Sequence, residues 1–442
     1  MDKWLWMSAG ELGRGIGAGE IDPVALCDTY LAAIDAHPDT PRIYARVTHD
    51  RARAEARDAA ERARLGLRRG PLDGVPVSWK DLFDSAGVAT EAGSALLQGR
   101  VPDRDAQVLA NATAMGLVCL GKTHMSELAF SGIGLNPITA TPPNRNDATA
   151  VPGGSSSGAA ASVAFGLAAA GLGSDTGGSV RIPAAWNDLV GLKTTSGRVP
   201  LDGVVPLAKA FDTIGPLCRN VEDCALTLAA IEGGRPADLR GATLDGIRFA
   251  ALDTLVLDDI RDAPLSGFRS ARERLQRAGA LVTPVEAPEL AQANDLSGIL
   301  FTSEAYGLWK ADIEAAPEKM FPEILSRFRS GADYAAADYV AAWELLHHYR
   351  RIFLARMASY DAVICPTAPI LPPNAERMLA DHEYYVAENL LALRNTRVGN
   401  LMGLCALTLP TGVPSCGLMI LARPGSEEAL LRLGAAAEKA LS

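Results

Sequence analysis

The stretch from Val151 to Ala184 limits how this chain can fold more than any other. It reads V-P-G-G-S-S-S-G, an alanine-rich run, and then G-S-D-T-G-G-S-V-R-I-P-A. The middle is predicted to be one helix from Ser157 to about Ala170, presenting Ala159, Ala160, Val163, Ala164 and Leu167. Such small residues let backbones approach closely, so the helix is expected to be buried and its two glycine-rich turns to become neighbours. Paired glycines at 153 and 154, and again at 177 and 178, admit backbone angles closed to other residues and leave N–H groups unshielded. A serine beside such a turn has what a nucleophile needs: exposure at a bend and donors aimed at a developing oxyanion.

The rest of the composition narrows the function classes. At 442 residues the chain exceeds the size of one ordinary core, although a large α/β enzyme can build a single sheet from such a length. A net charge of −10 offers no basic footprint for nucleic acid or for an anionic membrane surface. The Arg/Ala-rich run from Arg51 to Arg69 interleaves Glu and Asp and reads as a solvated helix face. Cysteines at 27, 119, 218, 224, 365, 405 and 416 are odd in number and never spaced C-x-x-C. This argues against a disulfide framework or zinc site and for a reducing, cytoplasmic setting. Met1 to Met7 lacks a basic region followed by an apolar run, so no signal peptide is expected, and no apolar stretch is long enough for a membrane span.

Taken in order, Ser8 and Glu11 have capping-box spacing, and Asp22-Pro23 opens a second helix. A strand near Ile43 to Val47 precedes the charged helix, and P-L-D-G-V-P-V-S-W-K delivers Lys80 at the end of a β-prone run. Asp105 to Met115 reads as helix and Leu117 to Gly121 as a buried strand. Asn220 caps a helix to about Ile231, stopped by Gly233 and Gly234. A strand–helix–strand unit follows from Ile247 to Val285, then a helical region from 290 to 360 whose Phe301, Tyr306, Trp309, Phe321 and Trp343 are read as core. Strands recur at Ala362 to Cys365, Cys405 to Leu409 and Leu418 to Leu421, before a last helix from Ser426. Strands at both ends favour one interwoven sheet over separate domains.

Four chemistries compete for the glycine-rich centre. Gly121-Lys122-Thr123 ends like a phosphate-binding loop, but the first glycine is missing at the required spacing. A Ser-His-Asp hydrolase needs a placed histidine; of six, only His124 lies in a motif-like stretch, and none sits in a G-x-S-x-G elbow. Ser174-Asp175-Thr176 and Lys193-Thr194-Thr195 imitate two motifs of penicillin-recognising enzymes, yet no serine has Lys three residues later. The fourth reading is a serine nucleophile activated through another serine by a lysine.

Here V-P-V-S-W-K-D, P-G-G-S-S-S-G and G-S-D-T-G-G-S-V-R-I-P-A resemble, in order and spacing, the amidase signature family of amide hydrolases. The resemblance extends to E-L-A-F-S-G (127–132), F-D-T-I-G-P (211–216) and the C-terminal R-N-T…G-L-C-A-L-T-L-P segment. It implies an α/β fold, one large domain over 1–442 whose twisted mixed β-sheet is covered on both faces by helices. The signature core spans about 70–220, and about 290–360 forms the pocket. It also implies hydrolysis of a carboxylic amide with Ser179 as nucleophile, Ser155 as bridging serine on a cis peptide, and Lys80 as base. The oxyanion would meet the N–H groups of Thr176, Gly177, Gly178 and Ser179. Asp175 and Arg181 would brace the loop, and Phe130, Ser131 and Gly132, near Ile133, would line the leaving-group side.

A lysine serves as base only when neutral, and an apolar strand end with Val75, Val77 and Trp79 suits that. Asp81 would oppose a neutral lysine, so its side chain is expected to point elsewhere. Ser156 and Ser157 read as helix-start residues. No metal or cofactor is implied. The expected partner is a small-molecule amide, with a homodimer compatible and neither nucleic acid nor membrane. The alternative function is the amidase subunit of a glutamine-dependent tRNA amidotransferase, for which the chain looks short. A catalytically silent scaffold is opposed by intact Lys80, Ser155 and Ser179.

Overall fold

In the computed structural model, which describes residues 2–442 and so leaves Met1 outside it, eleven strands pair into one mixed sheet. In chain order they are β1 (Tyr44–Val47), β2 (Pro76–Lys80), β3 (Val118–Thr123), β4 (Ala170–Ser174), β5 (Val190–Lys193) and β6 (Ile214–Cys218). They continue with β7 (Arg248–Leu252), β8 (Leu281–Val285), β9 (Ala362–Pro366), β10 (Cys405–Pro410) and β11 (Gly417–Ala422). In space the order is β1-β3-β2-β4-β6-β5-β10-β11-β9-β7-β8. β2 runs parallel to β3 and β4, and β7 to β8 and β9, while the other pairs are antiparallel. Because β10 and β11 insert between β5 and β9, the two ends of the sequence share one core, as the strand distribution predicts. Helices flank this sheet, as parallel strands buried on both faces require.

Local signals explain much of the element placement. The Ser8 hydroxyl accepts from Glu11 N while the Glu11 carboxylate accepts from Ser8 N, a closed capping box. Asp22 caps the helix Pro23–Ala36, and Asn220 caps Val221–Glu232, which ends on Gly233 at φ +68°. The strand–helix–strand unit forms as β7, a helix over Asp262–Arg277, and β8. β8 lies at the edge of the sheet, where its Pro284 costs no ladder bond on a central strand.

The helix after the first glycine turn is shorter than its alanines suggest. It spans Ser157–Ala164 (α1), entirely buried, and Gly166 at φ +74° turns the chain before Ala170 enters β4. Alanine favours helix, but pairing of Ala170 with Val77 of β2 outweighs that preference. Close approach of helix and sheet is real: a Cβ on Gly171 would stand 2.7 Å from the Ala159 carbonyl oxygen. The helix Arg181–Trp186 (α2) follows the second glycine turn. In the helical region, Ser297–Ala315 (α3) and Pro322–Arg329 (α4) lead to a helix that the sequence reading passes over, His382–Leu401 (α5).

Candidate active site

The parallel pairing of β2 with β4 places Lys80, the last residue of β2, beside Ser174, the last of β4. Lys80 is fully buried, and its Nζ lies 2.7 Å from Ser155 Oγ and 2.8 Å from Ser174 Oγ. Burial disfavours its ammonium and brings its pKa down to about 7, against the opposing pull of Asp175 and Asp212. Asp81 turns away: Lys122 Nζ is 3.2 Å from its Oδ1 and Arg46 Nη1 is 3.5 Å from its Oδ2. A lysine placed in this way can be uncharged at neutral pH, and in that form its lone pair is within reach of the Ser155 hydroxyl proton.

The Gly154–Ser155 peptide is cis. Ser156 N donates to the Ser179 carbonyl at 3.2 Å, which ties the two glycine turns together. Ser156 does more than begin a helix, since its hydroxyl donates to Ser174 O and accepts from Ser174 N. Ser157 Oγ instead donates to His124 O at 3.3 Å. His124 is half-buried, and burial pushes its pKa down to about 4; His347 and His348 are exposed on the helical region. Among the described residues, no protein acceptor takes a hydrogen bond from the N–H groups of Thr176, Gly177, Gly178 or Ser179. Those donors are therefore open to a ligand beside the Ser179 hydroxyl. Gly178 has φ +142°, and a Cβ there would fall 2.1 Å from Thr396 Oγ1, so this turn requires glycine.

The second glycine turn is anchored from beneath. Arg181 grips Asp175 with Nε to Oδ2 at 3.0 Å and Nη2 to Oδ1 at 2.8 Å, both residues fully buried. Burial pushes the Asp175 carboxyl up, but Arg181, Lys193 and Asn400 outweigh it and hold it below the usual carboxylate range. α5 supplies the remaining partners: Asn400 to both members of the pair, the Thr396 carbonyl to Arg181, and the Thr396 hydroxyl to the Gly177 carbonyl at 2.7 Å. Thr176 Oγ1 donates to Asp212 at 2.5 Å, fixing the other side of the turn.

Above Ser179 lies a crevice of about 300 Å³, lined by Phe130, Ser131, Thr176, Gly177, Ser179 and residues of α3, α4 and α5. Gly132 sits behind it, its N–H donating to Asn389 Oδ1 at 2.9 Å, while Tyr385 and Asn389 hold the Ser131 hydroxyl. Phe301, read from sequence as core, is both buried and part of this lining. The sequence reading did not single out Asn389, Arg327 or Arg397, and it met Ser174 only within the Ser174-Asp175-Thr176 run, not as a contact of Lys80. Asn389 and Arg397 share one face of α5 with Leu393, Thr396 and Asn400, but that face is mostly polar, so apolar periodicity does not reveal it.

The amidase family model matches residues 25–431. The chain belongs to the amidase family. Members hydrolyse amides, and this protein is accordingly an enzyme acting on carbon–nitrogen bonds. It is 35% identical to 2-amino-5-chloromuconic acid deaminase of Comamonas testosteroni over 96% of this chain and 94% of that one. It is 33% identical to a glutamyl-tRNA(Gln) amidotransferase subunit of Anaeromyxobacter sp. (strain K), over 98% and 95% of the two chains. The native peptide amidase structure from Stenotrophomonas maltophilia superposes with a TM-score of 0.81 at 30% identity, covering 98% and 97%. Among the described residues no helix is long and apolar enough to cross a membrane.

Proposed function

We propose that this enzyme hydrolyses a small carboxylic amide through an acyl-enzyme on Ser179. Neutral Lys80 takes the proton of Ser155, which takes that of Ser179 as its oxygen attacks the amide carbonyl. The N–H groups of Thr176, Gly177, Gly178 and Ser179 hold the resulting oxyanion. Collapse expels ammonia or an amine, protonated back through Ser155, and water repeats the sequence to free the acid. No metal or organic cofactor takes part. The observation that carries this reading is the dry lysine hydrogen-bonded to Ser155 beneath the Ser179 turn.

A second reading is the amidase subunit of a tRNA amidotransferase. What favours it is that glutamyl-tRNA(Gln) amidotransferase subunits match over 95% of their own length, so chain length does not argue against it. One experiment tests both. The isolated chain is given a panel of small amides including glutamine, and is treated separately with a fluorophosphonate. Turnover of a non-glutamine amide with the label on Ser179 is expected. A label on Ser155 or Ser156 refutes the nucleophile assignment. Turnover of glutamine alone, and only with a co-purified partner, makes the second reading the better one.

A further inference from the structure

Two arginines face the crevice, and among the described residues neither has a counter-ion. Arg327 of α4 and Arg397 of α5 line both the space above Ser179 and an adjoining outer cleft of about 980 Å³, sharing that position only with Phe301. Arg397 is 7% exposed, and among the described residues its one polar contact is Nη1 to Ser297 Oγ at 3.4 Å. Arg327 Nη1 is shut off from water and has no hydrogen-bond partner. Its guanidinium rests 4.5 Å from the centre of the Phe130 ring.

The nearby carboxylates are otherwise engaged. Glu323, one turn before Arg327, pairs with His382 at 2.6 Å, and Glu388 of α5 pairs with Arg261. Glu127 accepts from Ser94 Oγ and Phe321 N. Burial pushes Arg327 down to about 10, and burial together with the charge of Arg327 pushes Arg397 down to about 9. Both are still cations at neutral pH. The contrast is Arg181, fully buried, whose guanidinium is filled by Asp175, Asn400 and the Thr396 carbonyl. A buried guanidinium left unpaired is costly unless something supplies the charge, and a planar fork of donors matches a carboxylate.

We propose that Arg327 and Arg397 form a carboxylate-binding subsite, and that the substrate is a short amide carrying a free carboxylate, such as the monoamide of a dicarboxylic acid. This rests on the amide-hydrolase reading of Ser179 and narrows its substrate class. The subsite lies next to the nucleophile within a small crevice, so the acid and the scissile amide belong to one compact molecule. Neutral amides of equal size leave both cations unpaired, and the penalty appears as selectivity.

The test uses the whole chain and two probes of matched size, succinamate and succinamide. Wild type is expected to favour succinamate in kcat/KM by about 100-fold or more, about the size of a buried charge-pair contribution. Arg397→Met and Arg327→Met should each collapse that ratio toward unity, and Arg397→Lys should restore part of it. Succinate should raise the wild-type melting temperature, and this shift should vanish in Arg397→Met, a readout that needs no turnover. Fluorophosphonate labelling of Ser179 in each variant verifies that the site has folded. A wild-type ratio near one, or a ratio unmoved in folded variants, overturns the subsite while amide turnover leaves the hydrolase reading standing. If neither amide turns over and Ser179 does not label, the hydrolase reading fails. The subsite is then judged by the succinate shift alone, and no shift overturns it.

Discussion

The proposed relay depends on the protonation of Lys80, and the pH profile of kcat/KM measures it in the free enzyme. Burial takes the amine from its ordinary 10.5 to about 7, with Asp175 and Asp212 pulling the other way. At pH 7 an amine of unperturbed pKa is neutral in roughly 3 molecules in 10⁴, and one at 7 in about half, a gain of about 10³ in available base. The sign follows from the lowered pKa: the charged form cannot accept a proton, so activity falls below about pH 7, tenfold per unit, and levels off above it. Initial rates on an amide with no ionisation of its own between pH 5 and 9 should trace this limb. Lys80→Ala should lose roughly 10³-fold or more and the limb with it. Lys80→Arg should not rescue it, because guanidinium stays protonated. Glu127 is the necessary control, since burial pushes its carboxyl up to about 7 as well, against the bonds from Ser94 and Phe321. Glu127→Gln should leave the limb where it was. A limb that survives in an active Lys80→Ala enzyme, or disappears in Glu127→Gln, refutes the assignment of Lys80 as base.

Two further outcomes concern the framework. Asp175→Ala leaves the buried Arg181 guanidinium without its carboxylate and should cost about 3–5 kcal/mol, read as a lower denaturant midpoint. Gly178→Ala drives a Cβ toward Thr396 Oγ1 at a φ that L-residues rarely adopt, displacing the open N–H groups. It should lower kcat by about 10²-fold or more, the scale of losing one oxyanion donor; an unchanged kcat would mean that the turn does not hold the oxyanion.

The parts legible in the sequence are those whose constraint is local. Ser155, Ser179, Asp175 and Arg181 lie within one contiguous stretch, where glycine pairs and close-packed alanines leave few alternatives, and Lys80 ends a short β-prone run after a Pro/Gly turn. Caps at Ser8, Asp22 and Asn220 are likewise decided by neighbours three residues away. The end of α1 was not legible, because its last alanines follow the ladder to β2 rather than their own propensity. α5 was hidden for a different reason. Periodicity finds helices by assuming that polar residues face water, yet Glu388, Asn389, Arg394, Asn395, Arg397 and Asn400 are all buried there.

That inversion also separates the two halves of the site. The proposed catalysis needs a lysine kept dry and a turn held still, and two short stretches, the run ending at Lys80 and residues 151–184, supply them through β2, β4 and the glycine turns. Recognition needs groups that reach the Ser179 crevice from α3, α4 and α5, far apart in the chain and joined only by packing. Polar residues buried on α5 are costly unless each finds a partner, and nearly all do: Asn400 with Asp175 and Arg181, Thr396 with Gly177, Asn389 with Gly132. Arg397 departs from this pattern on the same helix, with a single long contact and the charge of Arg327 against it. A framework that satisfies its buried polar groups so fully, and leaves that one open beside Ser179, has the donors that the proposed carboxylate subsite requires.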